Sequence, residues 1–262
     1  MATVDFEQGP DGTKLAYIQD GPADDVGRCG FFWLGGFMSD MTGAKAESLA
    51  GLAREERRPA TRFDYSGHGQ SGGVFVDGTI SAWLEQATHM FMTKTTSKRV
   101  IVGSSMGGWL ALLMARLLMR DDPWHAKRIA GIVLVAPAAD MTKDLMWDEF
   151  SKAARKELET RGFYLQPSDY GDPYTITLKL LQDGARHLLL QQGLELNCPV
   201  RILQGSEDKA VPPAHALKVF GALSGPDITM TLIKGGDHRL STPGQLRQIR
   251  EAVQQLAVRA DG

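Results

Sequence analysis

Lys98-Arg99-Val100-Ile101-Val102-Gly103-Ser104-Ser105-Met106-Gly107-Gly108-Trp109-Leu110 is the stretch on which the reading of this chain turns. Its first half is a β-branched run and predicts a strand over residues 98–103. From residue 106 to 118 the spacing of apolar side chains predicts a long amphipathic helix. Between them stands Gly-x-Ser-x-Gly, centred on Ser105. In a chain with 29 glycines the five residues alone carry little weight. The strand before and the helix after give them weight, because the motif works only as a strand–turn–helix. The serine must sit on a sharp, strained turn so that its hydroxyl projects clear of the sheet. Side chains two residues before and two after would collide, so both positions are small. Ser104 is the neighbouring rival, but only Ser105 has a glycine two residues away on each side. The helix start also aims free N–H groups and the positive end of its dipole at the point where an oxyanion would form. The N–H of Met106 is therefore one candidate donor.

Outward from this centre, short strand patterns alternate with helical ones, the order expected of a parallel sheet covered by helices. Residues 13–19 alternate and read as an early edge strand after a Gly9-Pro10-Asp11-Gly12 turn. Phe31-Phe32-Trp33-Leu34 is a continuous apolar run, as in a strand buried on both faces. It ends in Gly35-Gly36-Phe37-Met38, a loop whose Phe37 N–H is the second candidate oxyanion donor. Further strands are expected at residues 60–63, 129–135, 200–203 and 228–233. Helices are expected at 45–56, 79–93, 212–223 and 243–258, the last with Thr242-Pro243 as N-cap and first turn. Residues 138–197 break the rhythm, with helical patterns at 145–160 and 175–190 and no clear buried strand. They read as a small helical cap inserted between a core of residues 1–137 and 198–262, over the sheet edge where open α/β sheets bind ligands.

A serine of this kind needs a base and an acid, which in this fold follow in the order Ser, Asp or Glu, His. Of six histidines, only His238 lies in a loop after the last predicted strand. His89, His125, His187 and His215 fall on helices or their flanks and read as surface or packing residues. His68, in a turn-rich loop after a strand, is expected to do the same, with a place in the cleft as the lesser alternative. Asp208 follows the strand at 200–203 and is the leading acid; Glu207 beside it and Asp140 after residue 135 are its rivals. Around these turns Met38, Trp109, Met141, Leu145 and Met146 are candidate substrate-binding residues, since flexible thioethers suit a chain-like apolar group.

Bulk composition excludes other classes. The 262 residues are 43% hydrophobic and 23% charged, in keeping with one soluble unit of the larger α/β kind or two small domains. With 29 basic against 31 acidic residues there is no electrostatic pull toward nucleic acid or an anionic membrane. No apolar run reaches membrane-spanning length. Two cysteines, Cys29 and Cys198, make neither a metal cluster nor a disulfide framework. No metal or organic cofactor is expected. The N-terminus has neither a secretory nor an organelle-targeting pattern, so a cytoplasmic location is expected.

Three segments together are more specific than the serine motif. They are Gly36-Phe37-Met38-Ser39, then Arg62-Phe63-Asp64-Tyr65-Ser66-Gly67-His68-Gly69-Gln70-Ser71, then Val102-Gly103-Ser104-Ser105-Met106-Gly107-Gly108-Trp109-Leu110. With Asn197-Cys198-Pro199-Val200-Arg201 and Asp237-His238-Arg239 they resemble the palmitoyl-protein thioesterase and acyl-glucuronide esterase group of the α/β-hydrolases. The likeness runs over nearly the whole chain after the N-terminus. It implies an α/β-hydrolase fold, with a mostly parallel central sheet of about eight strands and helices on both faces. It also implies a triad on Ser105, Asp208 and His238, and carboxylic ester or thioester substrates, small molecules or acylated proteins. Two departures stand out: no organelle-targeting extension is expected from the residues at the N-terminus, and the oxyanion loop reads Gly-Gly where many hydrolases carry His-Gly. The same triad also serves carbon–carbon hydrolases and perhydrolases, and a non-catalytic receptor is a third reading. Monomer and homodimer are both open.

Overall fold

The computed structural model describes residues 3–23, 27–167 and 173–262 of the protein. In chain order its elements are β1 (Asp5–Gln8), β2 (Lys14–Asp20), β3 (Gly30–Leu34), α1 (Ala44–Glu56), β4 (Ala60–Phe63), α2 (Ile80–Lys94), β5 (Arg99–Ser104), α3 (Met106–Asp121), α4 (Pro123–Ala126) and β6 (Ile129–Val135). There follow α5 (Lys152–Arg161), β7 (Phe163–Gln166), β8 (Tyr174–Thr177), α6 (Leu178–Gly184), β9 (Leu194–Glu195), β10 (Val200–Gly205), α7 (Pro213–Ala222), β11 (Leu223–Ser224), β12 (Ile228–Ile233) and α8 (Pro243–Asp261). Eight strands form one sheet in the order β1-β2-β4-β3-β5-β6-β10-β12. The pairings of β1 with β2 and of β2 with β4 are antiparallel, and all others are parallel. The expected strand at residues 13–19 is thus present one residue on, but it is not the edge. Asp5–Gln8, short and mostly exposed, covers that flank.

The central strands are mostly apolar because both faces are covered, and their side chains divide between two cores by the period of two. Phe32, Leu34, Ile101, Ile132, Leu134 and Ile202 pack with α2 and α3 on one face. Phe31, Trp33, Val100, Val102, Val133 and Leu203 pack with α1 and α8 on the other. Each such fully buried aliphatic or aromatic side chain contributes about 1.5–3 kcal/mol. Cys29 and Cys198 are free and buried beside this framework, and desolvation pushes both thiols up to about 11, far from a nucleophilic state. Among the described residues no helix is long and apolar enough to cross a membrane.

The chain leaves the sheet after β6 and rejoins it at β10, and the elements between differ from a purely helical excursion. The helical pattern expected at 145–160 is two pieces: a π-helical turn at Thr142–Trp147, closed by the Asp148 N–H on the Lys143 carbonyl, and α5. They separate where Ser151 turns its hydroxyl to accept the Ala154 N–H as an N-cap. The pattern at 175–190 begins instead as a strand: Tyr174–Thr177 alternates, pairs antiparallel with Phe163–Gln166, and gives way to α6 where Thr177 caps the Leu180 N–H. This segment has its own apolar cluster of Phe150, Ala154, Leu158, Ile176 and Leu181, against which Phe37 and Met146 also pack. Two buried carboxylates fix it: Asp140 ties its start to its end, and Asp183 joins it to α2. Asp140 accepts the N–H groups of Leu189 and Leu190 at 2.8 and 2.9 Å. Asp183 accepts the N–H and hydroxyl of Ser81, at the start of α2, at 2.7 and 2.8 Å.

Candidate active site

Parallel strands all end on the same edge of the sheet, so the loops after β3, β5, β10 and β12 meet there. Ser105 forms the turn from β5 into α3 with φ 54° and ψ −119°, a conformation that L-residues avoid. Three backbone bonds hold it: its N–H donates to the Val135 carbonyl, and its carbonyl accepts from Gly108 and Ala138. The glycines of the motif are explained by contact. A Cβ on Gly103 would stand 2.4 Å from the Gly107 carbonyl oxygen, and one on Gly107 would stand 2.1 Å from that of Leu34. The turn closes only if Gly103 lacks a side chain, and α3 seats on β3 only if Gly107 does. Met38, Ala136, Asp140 and Leu240, in the loops along this edge, are also held at positive φ.

The Nε2 of His238 lies 3.1 Å from the Ser105 hydroxyl, and its Nδ1 lies 2.8 Å from Asp208 Oδ2. Asp208 is 3% exposed. Its two oxygens also accept from the Gln204 side chain at 3.1 Å and from the Ala210 and Val211 N–H groups at 3.0 and 2.8 Å. Three N–H donors on its two oxygens, besides the His238 ring, are the surroundings of a carboxylate, which only accepts. The proton on the His238 ring therefore sits on Nδ1, which leaves Nε2 as acceptor for the serine hydroxyl. The loops that carry the two residues are bonded together: the Glu207 N–H donates to the Gly236 carbonyl, and the Gly235 N–H donates to the Ser206 hydroxyl, both at 2.8 Å. A hydroxyl bonded to an imidazole that is oriented by a buried carboxylate can give up its proton as it attacks a carbonyl carbon.

The rival acids are elsewhere. Glu207 is exposed. Asp140 spends its oxygens on Leu189 and Leu190, and its burial holds its carboxyl above the usual range. The two candidate oxyanion donors flank the serine. Met106 opens α3, and a Cβ on Gly36, the residue before Phe37, would fall 3.3 Å from the Ser105 Cβ. Among the described residues neither the Phe37 nor the Met106 N–H is bonded to a protein acceptor. The candidate substrate-binding residues divide. Met38 is 47% exposed in the loop after β3. Leu145 and Met146 are partly buried in the π-helical turn. Met141 is 3% exposed, and Trp109 has no accessible surface at all, so both lie behind the surface rather than on it.

Two residues at the site were not anticipated. Gln204 is fully buried and anchors both Asp208 and the Val211 carbonyl. Its signal was a polar side chain closing an apolar strand. Lys45, at the start of α1, donates to the Arg239 carbonyl at 2.5 Å and so braces the His238 loop. Burial holds its ammonium down to about 8, against the upward pull of Asp237. A contact across 194 positions leaves no local signature.

The family model described as the Alpha/beta hydrolase family matches residues 30–249. The chain is 28% identical to the human palmitoyl-protein thioesterase ABHD10, mitochondrial, over 257 residues that cover 97% of this chain and 80% of that one. A crystal structure from Agrobacterium vitis S4 superposes with a TM-score of 0.91 at 40% identity, covering 98% of each chain. The mouse alpha/beta hydrolase domain-containing protein 10 superposes with a TM-score of 0.85 at 26% identity, covering 98% of this chain and 99% of that one.

Proposed function

The chain belongs to the Alpha/beta hydrolase family, and on that premise we propose that it hydrolyses carboxylic esters or thioesters through an acyl-enzyme on Ser105. The observation that carries this reading is the continuous line from Asp208 through His238 to Ser105, at 2.8 and 3.1 Å, on a strained turn between two N–H groups that have no protein acceptor among the described residues. Ser105 Oγ attacks the acyl carbonyl carbon while His238 Nε2 takes the hydroxyl proton. Asp208 holds the ring in the required tautomer and stabilises the imidazolium. The N–H groups of Phe37 and Met106 bind the oxyanion of the tetrahedral intermediate. Its collapse expels the alkoxide, which His238 protonates, or a thiolate, which needs the proton less. Water then attacks the acyl-enzyme with His238 again as base, and the free acid leaves. The steps draw on protein groups and water alone.

Residues 138–197 serve as the cap of this site, and residues 1–137 and 198–262 as its core. Phe37, Met146, Trp147, Tyr164 and Tyr174 pack only partly buried around the apolar cluster of that segment. Such a surface suits a flexible hydrocarbon chain, with Met38, Leu145 and Met146 against the acyl group and Met141 and Trp109 supporting them from behind. The thioesterase named among the relatives supports an acyl thioester as one substrate class. Turnover of p-nitrophenyl esters and acyl-CoA thioesters from acetyl to palmitoyl, with Ser105→Ala alongside, tests the proposal. Activity lost in the variant supports it, and the ratio of the two series separates esterase from thioesterase. A protein that cleaves neither series and does not react with a fluorophosphonate refutes it.

A further inference from the structure

His68 stands outside the line of Ser105, His238 and Asp208, yet backbone groups engage both of its ring nitrogens. Nδ1 lies 3.1 Å from the Ser66 carbonyl oxygen, and Nε2 lies 3.2 Å from the Met38 backbone nitrogen. A carbonyl only accepts and an amide N–H only donates. The two contacts together require a neutral ring with its proton on Nδ1 and a free lone pair on Nε2. The ring is 4% exposed and edge-packed by Tyr65, Phe75 and Trp83, with centroids 5.6, 5.2 and 5.1 Å away. The Trp83 indole N–H donates to the same Ser66 carbonyl at 3.2 Å.

The group that His68 holds is the peptide following Phe37. Met38 has φ 55° and is half exposed, a conformation that persists only when neighbours enforce it. The enforcing bonds are few. Ser39 returns its N–H and hydroxyl to the Gly36 carbonyl, Asp64 accepts the Met41 N–H at 2.7 Å, and His68 accepts the Met38 N–H. The turn-rich loop after β4 is thus a brace for the loop after β3: Phe75 packs its ring on that of Phe37, with centroids 4.9 Å apart, and His68 supplies the hydrogen bond nearest to Phe37.

We infer that His68 is a positioning residue: by accepting the Met38 N–H it holds the loop of residues 35–38 so that the Phe37 N–H faces the oxyanion. This role rests on the reading of Phe37 as an oxyanion donor. Of the groups bonded to or in ring contact with His68, only Tyr65 titrates, and burial holds its phenol well above its ordinary range. Asp64, on the same loop, turns its oxygens to the N–H groups of Met41 and Gln70. Burial also keeps the His68 imidazole below its ordinary range, which preserves the neutral ring that the geometry requires.

Two variants separate bonding from packing. His68→Phe keeps an aromatic ring among Tyr65, Phe75 and Trp83 but accepts nothing. His68→Gln can set its carbonyl oxygen where Nε2 stands. With the p-nitrophenyl ester that the parent cleaves fastest, kcat of His68→Phe should fall on the order of 100-fold with KM changed by less than about twofold. His68→Gln should recover at least about tenfold of that loss. A folded His68→Phe with the parent's kcat, or a folded His68→Gln no better than His68→Phe, overturns the role. Should the variants not fold, the parent labelled with 15N-histidine decides by NMR near neutral pH: the Nδ1–H tautomer is expected, and an Nε2–H or charged ring refutes the inference. A parent inert to every ester and to a fluorophosphonate sinks the hydrolase reading and this role with it. An active parent matched by its His68→Phe variant sinks the role alone.

Discussion

The side-chain amide of Gln204 donates to Asp208 Oδ2 at 3.1 Å, the same oxygen that His238 Nδ1 approaches at 2.8 Å. Nε2 of Gln204 also reaches the carbonyls of Gly205 and Val211, at 3.2 and 2.9 Å. The Asp208 carboxylate is therefore fixed by a side chain of the strand that delivers it as well as by its contact with the His238 ring.

Gln204→Leu keeps the volume and removes the donor. It leaves the Val211 carbonyl and one lone pair of Asp208 unsatisfied in a dry site. A loss of about 1–3 kcal/mol in stability and a fall of about tenfold in kcat are expected, read from urea unfolding and from ester turnover. Unchanged turnover would mean that the backbone donors Ala210 and Val211 suffice to hold Asp208.

Asp208→Asn presents an N–H to the His238 ring and favours the wrong tautomer. Its kcat should fall on the order of 10⁴-fold, against about 10⁶-fold for Ser105→Ala. Asp140→Asn should leave the pH dependence of kcat unaltered, because Asp140 bonds Leu189 and Leu190 rather than His238. An Asp208→Asn enzyme of near-normal activity would reverse the assignment of the acid.

Gly107→Ala drives a methyl group to 2.1 Å from the Leu34 carbonyl oxygen. A Cβ has no rotamer to escape by and its partner is a backbone carbonyl, so the start of α3 must shift from β3. A stability loss of roughly 1–3 kcal/mol or more is expected, together with loss of acylation by a fluorophosphonate at concentrations where the variant is still folded.

Asp183→Ala removes the carboxylate that ties α6 to the start of α2 through Ser81. Neither partner of the tie is bonded to Ser105, His238 or Asp208, so short esters should be cleaved at nearly the parent rate. KM for long acyl chains should rise, and residues 138–197 should become easier to cut in limited proteolysis. Equal KM values across chain lengths would dissociate this segment from the acyl group.

Burial holds the rings of His68, His187 and His215 below their ordinary value of 6.5. A group of depressed pKa stays neutral in the folded chain while the unfolded chain takes up a proton. Their shared contribution is therefore present above pH 6.5 and is lost as pH falls below it. Asp64 and Asp140, held above their ordinary 3.8 by burial, act with the opposite sign in the window just above that value. Thermal melts from neutral down to about pH 5 should show the histidine decline, and His215→Gln, which can still donate to the Ala139 carbonyl, should make it shallower. A melt profile flat over this range would contradict the assignment.

The fold and the principal candidates were legible in the sequence for one reason. Strand, turn and helix at 98–118 follow from contacts among neighbours, and so does the collision that demands Gly103, whereas Gly107 is demanded by the packing of α3 on β3. The order of strands then left His238 as the only histidine after the last strand and Asp208 after the preceding one. The hairpin of Phe163–Gln166 with Tyr174–Thr177 was hidden, because its short strands are mostly half exposed and lack the apolar run of the buried sheet. The polar assignments needed the tertiary structure. Which carboxylate reaches His238, what Gln204 and Lys45 hold, and that both nitrogens of His68 are claimed by backbone depend on loops separated by up to 194 positions. Local sequence encodes the turn that each loop makes. Only the packed sheet edge brings the loops to within hydrogen-bond distance, and at that range the direction of each donor decides the role.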